Sequence, residues 1–144
     1  GPEGIVQAAH MAVLNANYVR VRLSESYKMA YEETCMHEFV MTLQPEKETM
    51  GITAVDVAKA LLDYGIHPPT MYFPLIVHEA LMIEPTETES MENLDELAEA
   101  FLEIHRKAQE DLEWIRSAPH TTPITRLDEV GAARNPRLHY EFTR

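Results

Sequence analysis

The chain has 144 residues, 45% of them hydrophobic, enough for one domain with a real core. Its formal net charge of −12 argues against nonspecific nucleic-acid binding, which needs clustered Lys and Arg, and disfavours an anionic membrane surface. A single cysteine, Cys35, excludes an intrachain disulfide, and no apolar run approaches the ~20 residues of a spanning helix. With no basic n-region or apolar h-region at the N-terminus, no signal peptide is expected, and a cytoplasmic location is.

Residues 3–24 carry Ile5, Ala9, Ala12, Ala16, Val19 and Leu23 at threes and fours, which predicts a leading helix over 1–24 with Pro2 at its start. Tyr27–Thr34 is polar and irregular and reads as a loop. Met36–Leu43 reads as a strand with His37, Phe39, Met41 and Leu43 on one face and Met36, Glu38, Val40 and Thr42 on the other. Gln44–Gly51 reads as a second loop. Thr53 with Asp56 forms a capping box before a helix whose apolar face is Ala54, Val57, Ala58, Leu61 and Leu62, with Gly65 as its left-handed stop.

The stretch Tyr64–Glu89 has no helical period and crowds Pro, His, aromatic, aliphatic and acidic residues together. It holds strand candidates at Thr70–Phe73 and Ala80–Ile83, an antiparallel pair turning near His78–Glu79, and a further candidate at Leu75–Val77. A long helix is predicted over Met91–Ile115 with Ser90 as N-cap. Residues 117–144, broken by Pro119, Pro123 and Pro136 and holding Arg126, Arg134, Arg137 and Arg144, form a locally basic tail expected to lie on the domain or a partner, with a turn or two of helix at Asp128–Arg134. The order α, β, α, ββ, α, tail predicts an α+β fold: a small, largely antiparallel sheet packed with helices over residues 1–116. The seven histidines show no metal-ligand spacing, so no metal is expected.

Several stretches together resemble the C-terminal region of glycine dehydrogenase (decarboxylating), the P-protein of the glycine cleavage system, and most of all its second subunit where the enzyme is split. They are Ala12–Tyr18 (AVLNANY), Met36–Val40 (MHEFV), Val55–Thr70 (VDVAKALLDYGIHPPT), Tyr72–Val77 (YFPLIV), Ala80–Glu89 (ALMIEPTETE), Ala118–Thr122 (APHTT) and Leu127–Val130 (LDEV), in order along nearly the whole chain.

The resemblance implies the small C-terminal domain of an aminotransferase-like, fold type I pyridoxal-phosphate enzyme, in which glycine loses its carboxylate as CO2 and an aminomethyl group passes to the lipoyl arm of the H-protein. It implies three partners: the cofactor domain, the other subunit and the H-protein. The family's cofactor lysine follows a histidine; Lys28, Lys47, Lys59 and Lys107 follow Tyr27, Glu46, Ala58 and Arg106. The chain alone is therefore expected to carry no catalytic residue, to bind no pyridoxal phosphate and to be inactive.

The resemblance makes His37, Glu38, His78, Glu84, Thr86 and Glu87 the polar residues expected nearest the cofactor or substrate pocket. Structural roles stay open for each, including preparation of the third helix's N-terminus by Glu84, Thr86 and Glu87. The competing expectation is a stand-alone, non-catalytic module that keeps the small-domain fold and binds a ligand or protein, or self-associates.

Overall fold

A computed structural model describes residues 1–140 and 142; Arg144, at the end of the basic tail, lies outside the described residues. The elements in order are α1 (Pro2–Leu23), β1 (Lys28–Met29), β2 (Phe39–Thr42), α2 (Gln44–Met50), α3 (Ala54–Asp63), β3 (Thr70–Met71), β4 (Ala80–Ile83), α4 (Met91–Glu110), α5 (Leu112–Ser117) and α6 (Glu129–Arg134). The four strands form one antiparallel sheet in the order β1-β2-β4-β3. Its long central pair registers Phe39 on Ile83, Val40 on Met82, Met41 on Leu81 and Thr42 on Ala80. Both edge strands are two residues long.

Phe39, Met41, Leu81 and Ile83 are buried, while Val40 and Met82, opposite each other on the other face, are half-buried. The core lies between the first face and the helices, around Leu23, Met41, Leu43, Leu61, Leu81, Phe101, Ile104 and Ile115. α1 and α4 pack together across it, and α3 and α5 pack on α4. Tyr18 and Arg22 of α1 both donate to Asp95 of α4, and Asn15, buried on α1, donates its amide to the carbonyls of Thr86 and Glu89. Asn17 donates to the carbonyl of Cys35 and accepts from its N–H. These asparagines are packing amides, and Cys35 sits where burial pushes its thiol up, away from a reactive thiolate.

The predicted capping box holds. Thr53 accepts from the Asp56 N–H, Asp56 Oδ2 accepts from the Thr53 N–H at 2.8 Å, and Gly65 adopts φ 72° after the helix. Replacing Thr53 by Ala is expected to cost about 1 kcal/mol, read as a lowered urea midpoint with unchanged slope.

Five local expectations are corrected. Tyr27–Thr34 is not all loop: Lys28 and Met29 pair with Thr42 and Met41, because Tyr27 and Met29 are drawn into the core. Gln44–Gly51 is mostly the helix α2, started by Pro45 in its first turn and stopped by Gly51 at φ 72°. Leu75–Val77 is not a strand; residues 72–79 form a turning connection entered and left by Tyr72 and Glu79, both at positive φ. The helix predicted over Met91–Ile115 breaks at Asp111, which is extended (φ −143°, ψ 93°) and turns its carboxylate onto the N–H groups of Glu113 and Trp114 to start α5. Finally, the strand predicted over Met36–Leu43 is only Phe39–Thr42, because Leu43 already turns into the start of α2. The apolar stripe of α1 is covered in its second half: Ala16, Val19 and Leu23 are buried, whereas Ile5 is 74% exposed.

The tail returns to the domain through Arg126. Its guanidinium pairs with Asp56 at 2.9 Å and donates to the carbonyls of Ala118 and Ile115. Asp128 then caps α6 by accepting from the Gly131 N–H. Among the described residues no helix is long and apolar enough to cross a membrane.

Candidate functional site

The antiparallel register decides which of the expected pocket residues meet. Phe39 pairs with Ile83, so the residues just before β2 lie beside those just after β4. His37 and Glu84 are brought together there, with Nε2 3.9 Å from Oε1 and both side chains about half exposed. Thr86 follows on the same chain; its carbonyl is held by Asn15 at 2.9 Å, and its hydroxyl meets that of Thr88. Glu38 is half-buried next to His37, and Glu87 is exposed beyond Thr86.

His78 is not part of this group. It lies before β4, and the strand carries the chain about 13 Å from Ala80 to Glu84. At its own end, Thr42 donates its hydroxyl to the His78 carbonyl at 2.6 Å, so that peptide is fixed while the ring is left at the surface. The N-terminus of α4 does not draw on Glu84, Thr86 or Glu87. Ser90 accepts from the Asn93 N–H, and Glu89 accepts from the Asn93 side chain.

Glu84 and Thr86 line a cleft of about 560 Å³ between the segment Tyr64–Thr70, the end of β4 and the first turns of α4. A volume of that size suits a small ligand or a substrate arm. Its floor is apolar, with Ile66, Leu94, Leu97 and Phe101, and its walls carry Glu84, Glu89 and Glu96 with His67. A second cleft of about 690 Å³ continues along α4 from Tyr64 and Ile66, between Glu96, Glu99, Glu103 and Arg106. The alternation that buries one face of α4 leaves this line of carboxylates on the other.

These linings do not suit a phosphate-bearing aldehyde cofactor held by this chain alone. The first cleft is walled by carboxylates, which repel phosphate, and no lysine lines it. Lys47 is committed to Glu79, and that hydrogen bond and charge raise its pKa. Lys107 donates to the Tyr64 hydroxyl at 3.1 Å and lies 4.7 Å from the centre of the Trp114 ring.

Two polar clusters outside the linings of these clefts have no signal in the sequence. The first is Glu79, buried at φ 50°, whose carboxylate accepts from Lys47 Nζ and, at 2.9 Å, from the Ala54 N–H at the start of α3. It pins the connection that displays Phe73, Leu75 and Ile76 at the surface. The second is Asp63, at the end of α3. It accepts from the N–H groups of His120 and Thr121, the Thr121 hydroxyl and His120 Nδ1, all within 2.9 Å. Burial pulls its carboxyl up, but those donors outweigh it and hold it below its usual range. His120 is stacked on Trp114. Neither cluster has a periodic signal: each joins residues more than 20 positions apart, and only the fold brings them together.

What the fold and clefts define is a small α+β domain that offers an acidic, apolar-floored wall, lined among the described residues by carboxylates and no lysine. The chain belongs to the family described as glycine dehydrogenase, C-terminal domain, which it matches over residues 8–122. It is 53% identical over 142 residues to the probable glycine dehydrogenase (decarboxylating) subunit 2 of Thermosipho africanus, covering 99% of this chain and 30% of that protein. It is 55% identical to the protein of the same description from Caldanaerobacter subterraneus, covering 97% of this chain and 29% of that one. The counterpart in Treponema denticola is 53% identical, over 98% of this chain and 29% of its own length. The chain thus spans about three-tenths of the curated relatives it matches.

Proposed function

We propose that this chain is the C-terminal domain of a pyridoxal-phosphate-dependent glycine decarboxylase, the P-protein of the glycine cleavage system, and that it serves as the small domain of a fold type I arrangement. The observation that carries this reading is the 53% identity to a glycine dehydrogenase subunit 2 across 99% of the chain. In the whole enzyme the cofactor supplies the electron sink for loss of the glycine carboxylate, and the aminomethyl group passes to the lipoyl arm of the H-protein.

This chain's part is orientation and exclusion of water. His37 and Glu84, with Thr86 behind them and Glu38 and Glu87 at the flanks, form the polar lip that faces glycine or the incoming arm. His78 serves at the opposite end of the sheet, toward the cofactor domain. The cofactor lysine belongs to the larger part of the protein, so the chain by itself binds no pyridoxal phosphate and is inactive. Its partners are that larger part, the other subunit and the H-protein.

The test is reconstitution. The chain is mixed with the cofactor-bearing remainder and the partner subunit, and glycine–bicarbonate exchange is measured. Exchange is expected only in the mixture, and Glu84→Gln or His37→Asn is expected to lower it on the order of tenfold or more. Folded components that restore nothing would sink the reading and favour a non-catalytic binding module.

A further inference from the structure

Helix α1 is about 33 Å long at 1.5 Å per residue, yet the domain covers only part of it. Ala16, Val19 and Leu23 are buried; the same stripe continues toward the N-terminus through Ala12 and Ala9 to Ile5, which is 74% exposed. The outer side is apolar as well, with Val6 54% and Leu14 61% exposed. Residues 4–19 contain no Asp, Glu, Lys or Arg, although a quarter of the chain is charged. Gln7, His10, Asn15 and Asn17 are the polar residues there, but no charged face opposes the buried stripe, and apolar residues on more than one side are the pattern of a helix covered on more than one side. From its start through Leu14 the helix therefore lacks its cover.

The size and position of the missing cover decide what it is. About seven-tenths of the Thermosipho relative lies outside the matched region, and the matched family is described as a C-terminal domain, so that length precedes α1. Chain leading directly into α1 is tethered beside the bare stripe, and tethering raises its local concentration far above that of any free partner.

We infer that α1 from its start through Leu14 is an interdomain seam, docking through Ile5, Val6 and Leu14 on the residues that precede them in the same polypeptide. This rests on the reading of the chain as part of a subunit 2. The seam is a surface separate from the His37–Glu84 lip.

The test compares two proteins by hydrogen–deuterium exchange: the 144-residue chain, and the Thermosipho africanus subunit 2 with its matching segment replaced by this chain. Amides of residues 6–12 are expected to exchange at least tenfold more slowly in the chimera. Val6→Glu with Leu14→Glu, which touch none of the domain's buried core, is expected to abolish that protection while leaving the isolated chain's urea midpoint unchanged. Equal exchange in both proteins overturns the inference. So does protection of the isolated chain that grows with its concentration, which marks a second copy, or protection that appears only on adding the partner subunit.

Glycine–bicarbonate exchange by the chimera with its partner subunit separates the two readings. A protected helix without exchange removes the functional reading alone. Exchange with an unprotected helix removes the seam alone.

Discussion

Asp63→Ala is expected to destabilise the chain by about 2 kcal/mol and to loosen everything after α5. Four donors from His120 and Thr121 converge on this one carboxylate. Hydrogen bonds to a charged group contribute about 1.5–3 kcal/mol each, but these donors are near the surface and water replaces part of the loss. The turn they hold contains Ala118, whose carbonyl accepts from Arg126. Trypsin is therefore expected to cut after Arg126 faster in the variant than in the parent. An unchanged urea midpoint together with unchanged cutting would show that Asp63 anchors nothing.

The acid side of the same cluster has a definite sign. Because the folded-state pKa of Asp63 is lowered, its contribution is complete above the unfolded value of about 3.9 and is lost as pH falls through the lower folded value. Asp63→Asn is expected to flatten the stability profile in that acid window.

Glu79→Ala is expected to cost about 3 kcal/mol, more than any exposed carboxylate of this acidic chain. The substitution leaves the Ala54 N–H and the Lys47 ammonium without their acceptor and keeps a non-glycine residue at φ 50°. Glu79→Gln keeps one acceptor oxygen and is expected to cost about half as much. Lys47→Met removes only a half-exposed partner and is expected to cost under about 1 kcal/mol. If Lys47→Met proved as damaging as Glu79→Ala, the ion pair rather than the bond to α3 would be the main contribution. Near-ultraviolet circular dichroism of Tyr72, which lies by the pinned connection, gives a second readout.

Where a residue's role repeats along the chain, it is legible in the sequence. The alternation of Phe39 and Met41 with Val40, the stripe of Leu94, Ala98, Phe101 and Ile104, and the box of Thr53 and Asp56 all follow from local geometry, and all are found. What is not legible is a role set by a single distant contact. β1 is two residues long and exists because β2 is there to pair with, so nothing in Tyr27–Thr34 could announce it. α2 has too few apolar residues for a stripe; Glu46 faces inward, its carboxyl pushed up by burial. The break at Asp111 is invisible to periodicity, because the apolar spacing runs on from Ala108 to Ile115 across it.

The pocket residues divide in the same way. That His37 and Glu84 meet is a consequence of register, and register follows from the paired strands once their edges are known. That His78 stands apart from them follows from the same strand, whose length separates its two ends. The anchoring roles of Asp63 and Glu79 are not legible, because nothing adjacent in sequence distinguishes them from ordinary carboxylates.

The two-residue strands at either edge of the sheet have a consequence for handling the protein. A long open edge offers unpaired N–H and C=O groups to any other chain, the usual route to cross-strand polymerisation. Here the central ladder of β2 and β4 is flanked on both sides by strands too short to template another. Such a domain can wait, separated from a larger partner, without recruiting its own copies strand by strand.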